Sequence, residues 1–229
     1  MLYSNQSEKP IMKVMEAVIF DMDGVLIDSE PLHYATDKEL LKELNISVPN
    51  NYLDKFVGMT NPVMWSQILE EFNLKNNVQE ILQKQLSLKI KLLDESNYQP
   101  INGIPEILLS LKENSITMAV ASSSSKVFIK AVLKKLKIEK YFKFYISGEE
   151  INKSKPEPDI FLKSAEMLQI EPKECIVIED SKNGVIAAKR AGMKCIGYIN
   201  ENSGNQDLSQ ANYITADFNA LTYETLQSL

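Results

Sequence analysis

The sequence predicts an α/β protein built as a Rossmann-like parallel sheet core with an inserted helical cap domain. Three observations carry that prediction. Short apolar runs alternate with helix-length amphipathic segments through the second half of the 229-residue chain, the pattern of strands joined by crossover helices. An earlier run, Ala17-Val18-Ile19-Phe20, leads into two acids and a glycine, Asp21-Met22-Asp23-Gly24. Between it and the next strand at 116–121 lies far more chain than one crossover needs, all of it helical in period, so the intervening helices must form a unit of their own. The expected organisation is an extension at 1–14, a core made of 15–28 and 100–229, and a cap at 29–99.

The first strand is read from its four apolar residues, and Gly24 allows the sharp turn that ends it. Ser29 is placed to cap the next helix, which has Pro31 in its first turn and runs through Leu40, Leu41 and Leu44. His33, the chain's only histidine, rides on that helix. Having one histidine excludes a His pair, no Ser-His-Asp triad is seen, and His33 reads as an ordinary polar residue on a helix flank, with a role near the mouth of the site as the alternative. From 50 to 95 apolar residues recur at helical spacing: Leu53 and Phe56, then Trp65, Ile68 and Leu69, then Ile81, Leu82, Leu86, Ile90 and Leu93. Trp65 is expected in the core of that bundle.

Beyond Gly103 the expected order is helix 104–112, strand 116–121, helix 127–136, strand 144–147, helix 160–168, strand 175–178, helix 184–191, strand 195–198 and a short strand near Tyr213 and Ile214. Right-handed crossovers bring the carboxyl ends of such strands to one edge of the sheet, where ligands bind.

Charge and composition narrow the function. A net charge of -6 and a pI near 5.1 argue against a nucleic-acid or membrane-surface binder. Cys175 and Cys195 lie inside apolar runs without metal spacing, as reduced core thiols of a cytosolic protein do. No apolar run approaches a membrane span, and the first residues lack the apolar stretch of a signal peptide, so a cytoplasmic location is expected. No obligate protein partner is evident.

Taken at the strand ends, the sequence assembles a site: Asp21 and Asp23, then Ser122 and Ser123, then Lys155 before Pro156, then Glu179 and Asp180. Asp-Met-Asp-Gly alone also suits an ordinary turn. A calcium loop fails on spacing, because its fifth and twelfth positions would be Val25 and Leu32. Four carboxylates in one crevice repel one another unless a cation neutralises them, and oxygen ligands without histidine or thiolate select Mg²⁺. A lysine and a serine beside such an ion suit a phosphoryl group. One acid, Asp21, can attack phosphorus; Asp23, with a raised pKa, can protonate the leaving oxygen and then activate water.

The run from Phe20-Asp21-Met22-Asp23-Gly24 to Pro31-Leu32-His33, with Ala121-Ser122-Ser123, Lys155-Pro156-Glu157-Pro158 and Glu179-Asp180-Ser181, resembles the haloacid dehalogenase superfamily. Four motifs in the required order carry the resemblance from about residue 16 to the last helix. It is closest to the capped branch that holds β-phosphoglucomutase and sugar-phosphate phosphatases. The resemblance implies Asp21 as nucleophile, Asp23 as acid/base, Ser122 and Lys155 as phosphate ligands, and Asp180 with Glu179 as Mg²⁺ ligands, joined by Asp21 and the Asp23 backbone carbonyl. It also suggests a cis bond at Lys155-Pro156. Asp23 points away from dehalogenation and toward phosphate chemistry on a small phosphorylated metabolite.

Two enzyme activities stay open, phosphatase and mutase, beside a non-catalytic binding protein. In β-phosphoglucomutase relatives a cap arginine holds the second phosphate, and the matching position in Gly58-Met59-Thr60-Asn61 is Asn61. The phosphatase is therefore expected, with Lys55 and Lys84 as the cap cations that could stand in for the arginine.

Overall fold

The computed structural model describes residues 15–56 and 59–229; the expected extension at 1–14 and the cap glycine Gly58 lie outside them. Six strands form one sheet in the order β3-β2-β1-β4-β5-β6, where β1 is Ala17–Phe20, β2 Thr117–Ser122, β3 Phe144–Ser147, β4 Cys175–Glu179, β5 Lys194–Tyr198 and β6 Tyr213–Thr215. Every pairing is parallel. The order reverses at β1, between β2 and β4, and that is where a doubly wound sheet opens its ligand crevice.

Period-two alternation sends the strand side chains to two separate cores. Val18, Phe20, Met118, Val120, Ile176 and Ile178 join one cluster with α4 (Ile104–Glu113) and α5 (Lys126–Lys135). Ala17, Ile19, Ala119, Ala121, Cys175 and Val177 join the other, with α6 (Asp159–Leu168) and α7 (Lys182–Arg190). Both cysteines are free and buried, as their apolar runs predict.

Between β1 and β2 stand α1 (Glu30–Glu43), a 3₁₀ turn Tyr52–Phe56, α2 (Asn61–Glu71) and α3 (Val78–Glu95). They build a third apolar cluster around Leu40, Leu41, Phe56, Trp65, Ile68, Leu69 and Ile81. Trp65 is fully buried there, as expected. Two local expectations change. Residues 52–56 form a 3₁₀ turn rather than an α-helix, and a short helix α8 (Tyr223–Ser228), which was not read from the sequence, closes the chain.

Ser29 holds the N-cap position of α1, yet its hydroxyl makes no capping bond. That hydroxyl donates to Asp23 Oδ1 instead, at 2.7 Å. A half-buried carboxylate is a strong acceptor for that hydroxyl, and the side chain is oriented toward Asp23 rather than toward the helix N–H groups. Among the described residues no helix is long and apolar enough to cross a membrane.

Candidate active site

Asp21 directly follows β1, and its backbone N–H extends the ladder to Ile178 O at 2.9 Å. Three residues on, Gly24 takes φ 77°. A Cβ there would stand 1.9 Å from Asp180 Oδ2, so only glycine lets this turn press against the acid at the end of β4. Gly184 in α7 is constrained in the same way, since a Cβ would meet Glu179 Oε1 at 1.7 Å.

Lys155 joins these ends. It follows β3 in sequence and precedes a cis peptide bond to Pro156, as expected. Its Nζ donates to Asp21 Oδ1 at 2.5 Å, to Glu179 Oε1 at 2.7 Å and to the Ala121 carbonyl at 3.3 Å. Glu179 Oε2 accepts from the backbone N–H and hydroxyl of Ser181, and that hydroxyl also accepts from Gly184 N–H at the start of α7. Asp180 Oδ2 accepts from the Ser203 hydroxyl at 2.5 Å.

Burial governs the electrostatics. Asp21, Glu179 and Asp180 are at most 6 % exposed, and their carboxylate oxygens come within 4.8 Å of one another. Burial pushes the Asp180 carboxyl up to about 7, helped by the charge of Glu179. Burial likewise holds Asp21 well above the usual carboxylate range, with Lys155 opposing and Glu179, Asp180 and Asp23 adding to it. Lys155 is raised, because Asp21 and Glu179 outweigh its own burial. Three carboxylates against one ammonium leave uncompensated negative charge, and the donor set is oxygen alone, so the cluster fits a hard divalent cation such as Mg²⁺.

Asp23 departs from expectation. Burial favours its neutral form, but the hydrogen bond and charge of His33 and the hydroxyls of Ser29 and Ser124 reverse that, so its carboxyl lies well below the usual range. Ser29 and Ser124 each donate at 2.7 Å, Ser122 at 3.3 Å, and His33 Nε2 stands 3.5 Å from Oδ1. Donors to the charged form lower an acid's pKa; of these four, Ser29 and Ser124 were not expected at the site from sequence. The Asp23 carboxylate is also outside the three-acid cluster.

The remaining expected residues separate. Ser122 is buried beneath Asp23, while Ser123 is exposed on the wall of a cleft of about 620 Å³ between the core and the inserted helices. His33, read as a flank residue, instead faces the site. Its ring packs edge-on to Phe128, centroids 6.1 Å apart. Of the cap cations considered, Lys55 is bound to Glu71 at 2.8 Å and Lys84 lines a different depression. Lys89, which no motif marked, lines the cleft. Gln85 and Lys89 do leave a trace in the sequence, as polar residues on the otherwise apolar face of α3.

Known proteins share this architecture. The haloacid dehalogenase-like hydrolase family pattern matches residues 18–198. A phosphorylated carbohydrates phosphatase of Thermotoga maritima is 32 % identical over 80 % of this chain and 84 % of its own length. A β-phosphoglucomutase of Bacillus subtilis is 30 % identical over 93 % of this chain and 94 % of its own. Among solved structures, a family IA, variant 3 hydrolase of Entamoeba histolytica superposes with a TM-score of 0.80 at 28 % identity, covering 93 % of this chain and 98 % of its own. The chain belongs to the haloacid dehalogenase-like hydrolase family, and it is an enzyme of the hydrolase class.

Proposed function

We propose that the chain is a Mg²⁺-dependent, cytoplasmic phosphatase of small phosphomonoesters, sugar phosphates among them, working through an aspartyl-phosphate on Asp21. The observation that carries the proposal is Lys155, whose ammonium spans Asp21 and Glu179 at 2.5 and 2.7 Å. It ties the attacking acid to the acid cluster and offers a cation to the phosphate oxygens. The T. maritima relative, described as acting on phosphorylated carbohydrates, supports the substrate class.

In this scheme Asp21, Glu179 and Asp180 would hold the ion, with the Asp23 carbonyl as a further ligand. Mg²⁺, when bound, neutralises the phosphate charge and the repulsion among these acids. Lys155 and Ser122 orient the phosphoryl group against Asp21. The Asp21 carboxylate then attacks phosphorus, a bond forms from its oxygen, and the bond to the leaving oxygen breaks. Asp23 delivers a proton to that oxygen. Water next attacks the aspartyl-phosphate and gives its proton to Asp23, releasing inorganic phosphate. The donors around Asp23 favour its ionised, base form, so the acid half requires a proton source, and His33 is the titratable neighbour placed to exchange one. The helices from 29 to 99 serve as the cap that covers the cleft.

Mutase activity is the second candidate, favoured by the B. subtilis relative. Against it stands the absence of a cap arginine. Arg190 is the chain's only arginine, and it is bonded to Glu157 at 2.7 Å. Asn61 does line the cleft, but its amide is neutral and donates to Gln85 Oε1 at 3.1 Å. Incubation with p-nitrophenyl phosphate with and without Mg²⁺ tests the proposal. Metal-dependent release is expected; no release from it or from a panel of sugar, polyol, nucleotide and glycolate phosphates would reject it.

A further inference from the structure

Of the three acids clustered at the strand ends, two share a partner. Lys155 Nζ donates to both Asp21 and Glu179, and Glu179 is held further by the backbone N–H and hydroxyl of Ser181. Asp180 is held differently. Among the described residues its carboxylate has one hydrogen-bond donor, the Ser203 hydroxyl, at 2.5 Å from Oδ2. The last torsion of an aspartate is broad, so a single donor decides which way each oxygen faces.

Ser203 belongs to none of the motifs. It ends a 3₁₀ turn, Glu201–Ser203, in the segment after β5, and that turn is pinned on several sides. The Asn200 amide donates to the Gly24 carbonyl at 3.0 Å, and the Asn200 side-chain oxygen accepts from Asn202 N–H at 2.9 Å. Asn202 donates to Asp28 Oδ2 at 2.6 Å. Gln206 donates to the Ser203 carbonyl at 2.8 Å and accepts from the N–H of Lys182, the first residue of α7, at 3.1 Å. The serine is therefore fastened both to the loop that follows β1, where Asp21 stands, and to the helix that follows Asp180. Gly24 completes the enclosure. A Cβ there would meet Asp180 Oδ2 at 1.9 Å and Ser203 Oγ at 2.9 Å, so its missing side chain makes room for this pair of atoms. A hydroxyl that serves only to shape the chain bonds to backbone, as those of Ser125 and Thr222 do at the starts of α5 and α8. The Ser203 hydroxyl is spent on a carboxylate.

We propose that Ser203 is a positioning residue for the metal site: by holding Oδ2 it sets the Asp180 carboxylate so that Oδ1, which has no protein donor among the described residues, is the oxygen presented to a divalent cation. The proposal rests on the metal-dependent reading above and deepens it. Groups that orient a metal ligand from behind tune affinity for the ion by about tenfold to a hundredfold.

Calorimetric titration of the metal-free protein with Mg²⁺ tests this without relying on turnover. In Ser203→Ala the Kd for Mg²⁺ should rise by about tenfold or more, and Ser203→Thr, which keeps the hydroxyl, should bring it back to within about threefold of the wild type. Asn202→Ala loosens the same turn but leaves Ser203 in place, so it should weaken binding less than Ser203→Ala does. The fitted number of sites reports how much of each variant is folded, and the Kd of the folded fraction still judges the residue.

A Kd in Ser203→Ala within about threefold of the wild type's, or equal weakening in the alanine and threonine variants, would overturn the proposal. Weakening by Asn202→Ala as large as that by Ser203→Ala would make the turn, not the hydroxyl, the cause, and would overturn it too. Because no substrate is present, a protein that hydrolyses no phosphomonoester loses the phosphatase reading and leaves this one standing. A wild type that binds no Mg²⁺ would overturn the role of Ser203, while release from p-nitrophenyl phosphate would still judge the phosphatase.

Discussion

His33 presents Nε2 to Asp23 Oδ1 at 3.5 Å, reaching from the first turns of α1 back to the loop that follows β1. The same ring rests edge-on against Phe128 of α5, so packing as well as polarity fixes where the imidazole points. Through this contact the inserted helices touch the proton chemistry of the sheet edge.

The first prediction follows from it. In His33→Gln the Asp23 carboxylate loses a donor and a titratable neighbour, while Ser29 and Ser124 remain. Turnover should fall by about tenfold or more, within the usual range for assisted proton transfer, and the acid limb of the kcat profile should move. A pH profile of kcat that overlays the wild type's would remove His33 from the chemistry.

For Asp21→Asn the expected loss of phosphate release is at least about a thousandfold, as for removal of other covalent nucleophiles. The fold should survive. The substitution keeps the side chain's size and relieves repulsion with Glu179, Asp180 and Asp23, so the melting temperature in the absence of metal should not drop. Wild-type-like release by this variant would end the aspartyl-phosphate mechanism.

The order of strands and helices was legible because each strand is an apolar run bounded by turn residues and the crossover helices keep their periodicity. The buried site acids were legible for a related reason: Asp21, Glu179 and Asp180 stand at or just past strand ends, and a parallel sheet gathers such ends at one edge. What was illegible is what depends on side-chain direction in three dimensions. Ser29 and Ser124 each have a local alternative, a helix cap and a serine run, and nothing in sequence says that both turn toward Asp23. His33 lies on a helix face whose orientation depends on how α1 docks. Lys89 lies far in sequence from every motif and shows only as a charge on a buried stripe.

Asp180→Asn should act on the ion and leave the attacking atom in place. It removes one of three clustered acids, so saturation with Mg²⁺ should require about tenfold or more higher concentration, as when a group that tunes a metal site is lost. Ca²⁺ should inhibit both proteins, because its larger and looser shell misplaces the reacting groups. An unchanged Mg²⁺ titration would move the site elsewhere.

Metal-free stability should depend on pH with a definite sign. Asp180 and Asp21 both have folded-state pKa values raised above the unfolded ones, Asp180 to about 7. Between about pH 4 and pH 7 the native state therefore binds more protons than the unfolded chain, and stability falls as pH rises through that window. Asp23, whose pKa is depressed, acts below it, losing stability only as pH falls through the acid range. With chelator present, the melting temperature should be lower at pH 7.5 than at pH 5.5, and Mg²⁺ should raise it more at the higher pH. A metal-free protein that grows more stable from pH 5.5 to 7.5 would contradict the buried-acid account.

The last prediction is that water, rather than a second sugar hydroxyl, receives the phosphoryl group. A mutase has to hold a bisphosphate intermediate by its non-reacting phosphate while the sugar turns around, and the planar fork of an arginine is suited to that task. Here the matching position, Asn61, spends its amide on Gln85, and the chain's only arginine is bonded to Glu157 beside the Lys155-Pro156 turn. Lys89 does bring a cation to the cleft, but as a single point charge it can bind an anion without fixing the orientation that a second transfer requires. With β-glucose 1-phosphate and a trace of glucose 1,6-bisphosphate, free phosphate should therefore appear without accumulation of glucose 6-phosphate. Faster formation of glucose 6-phosphate than of free phosphate would make the enzyme a mutase, and the same assay on Lys89→Met would then show whether that lysine takes the arginine's part.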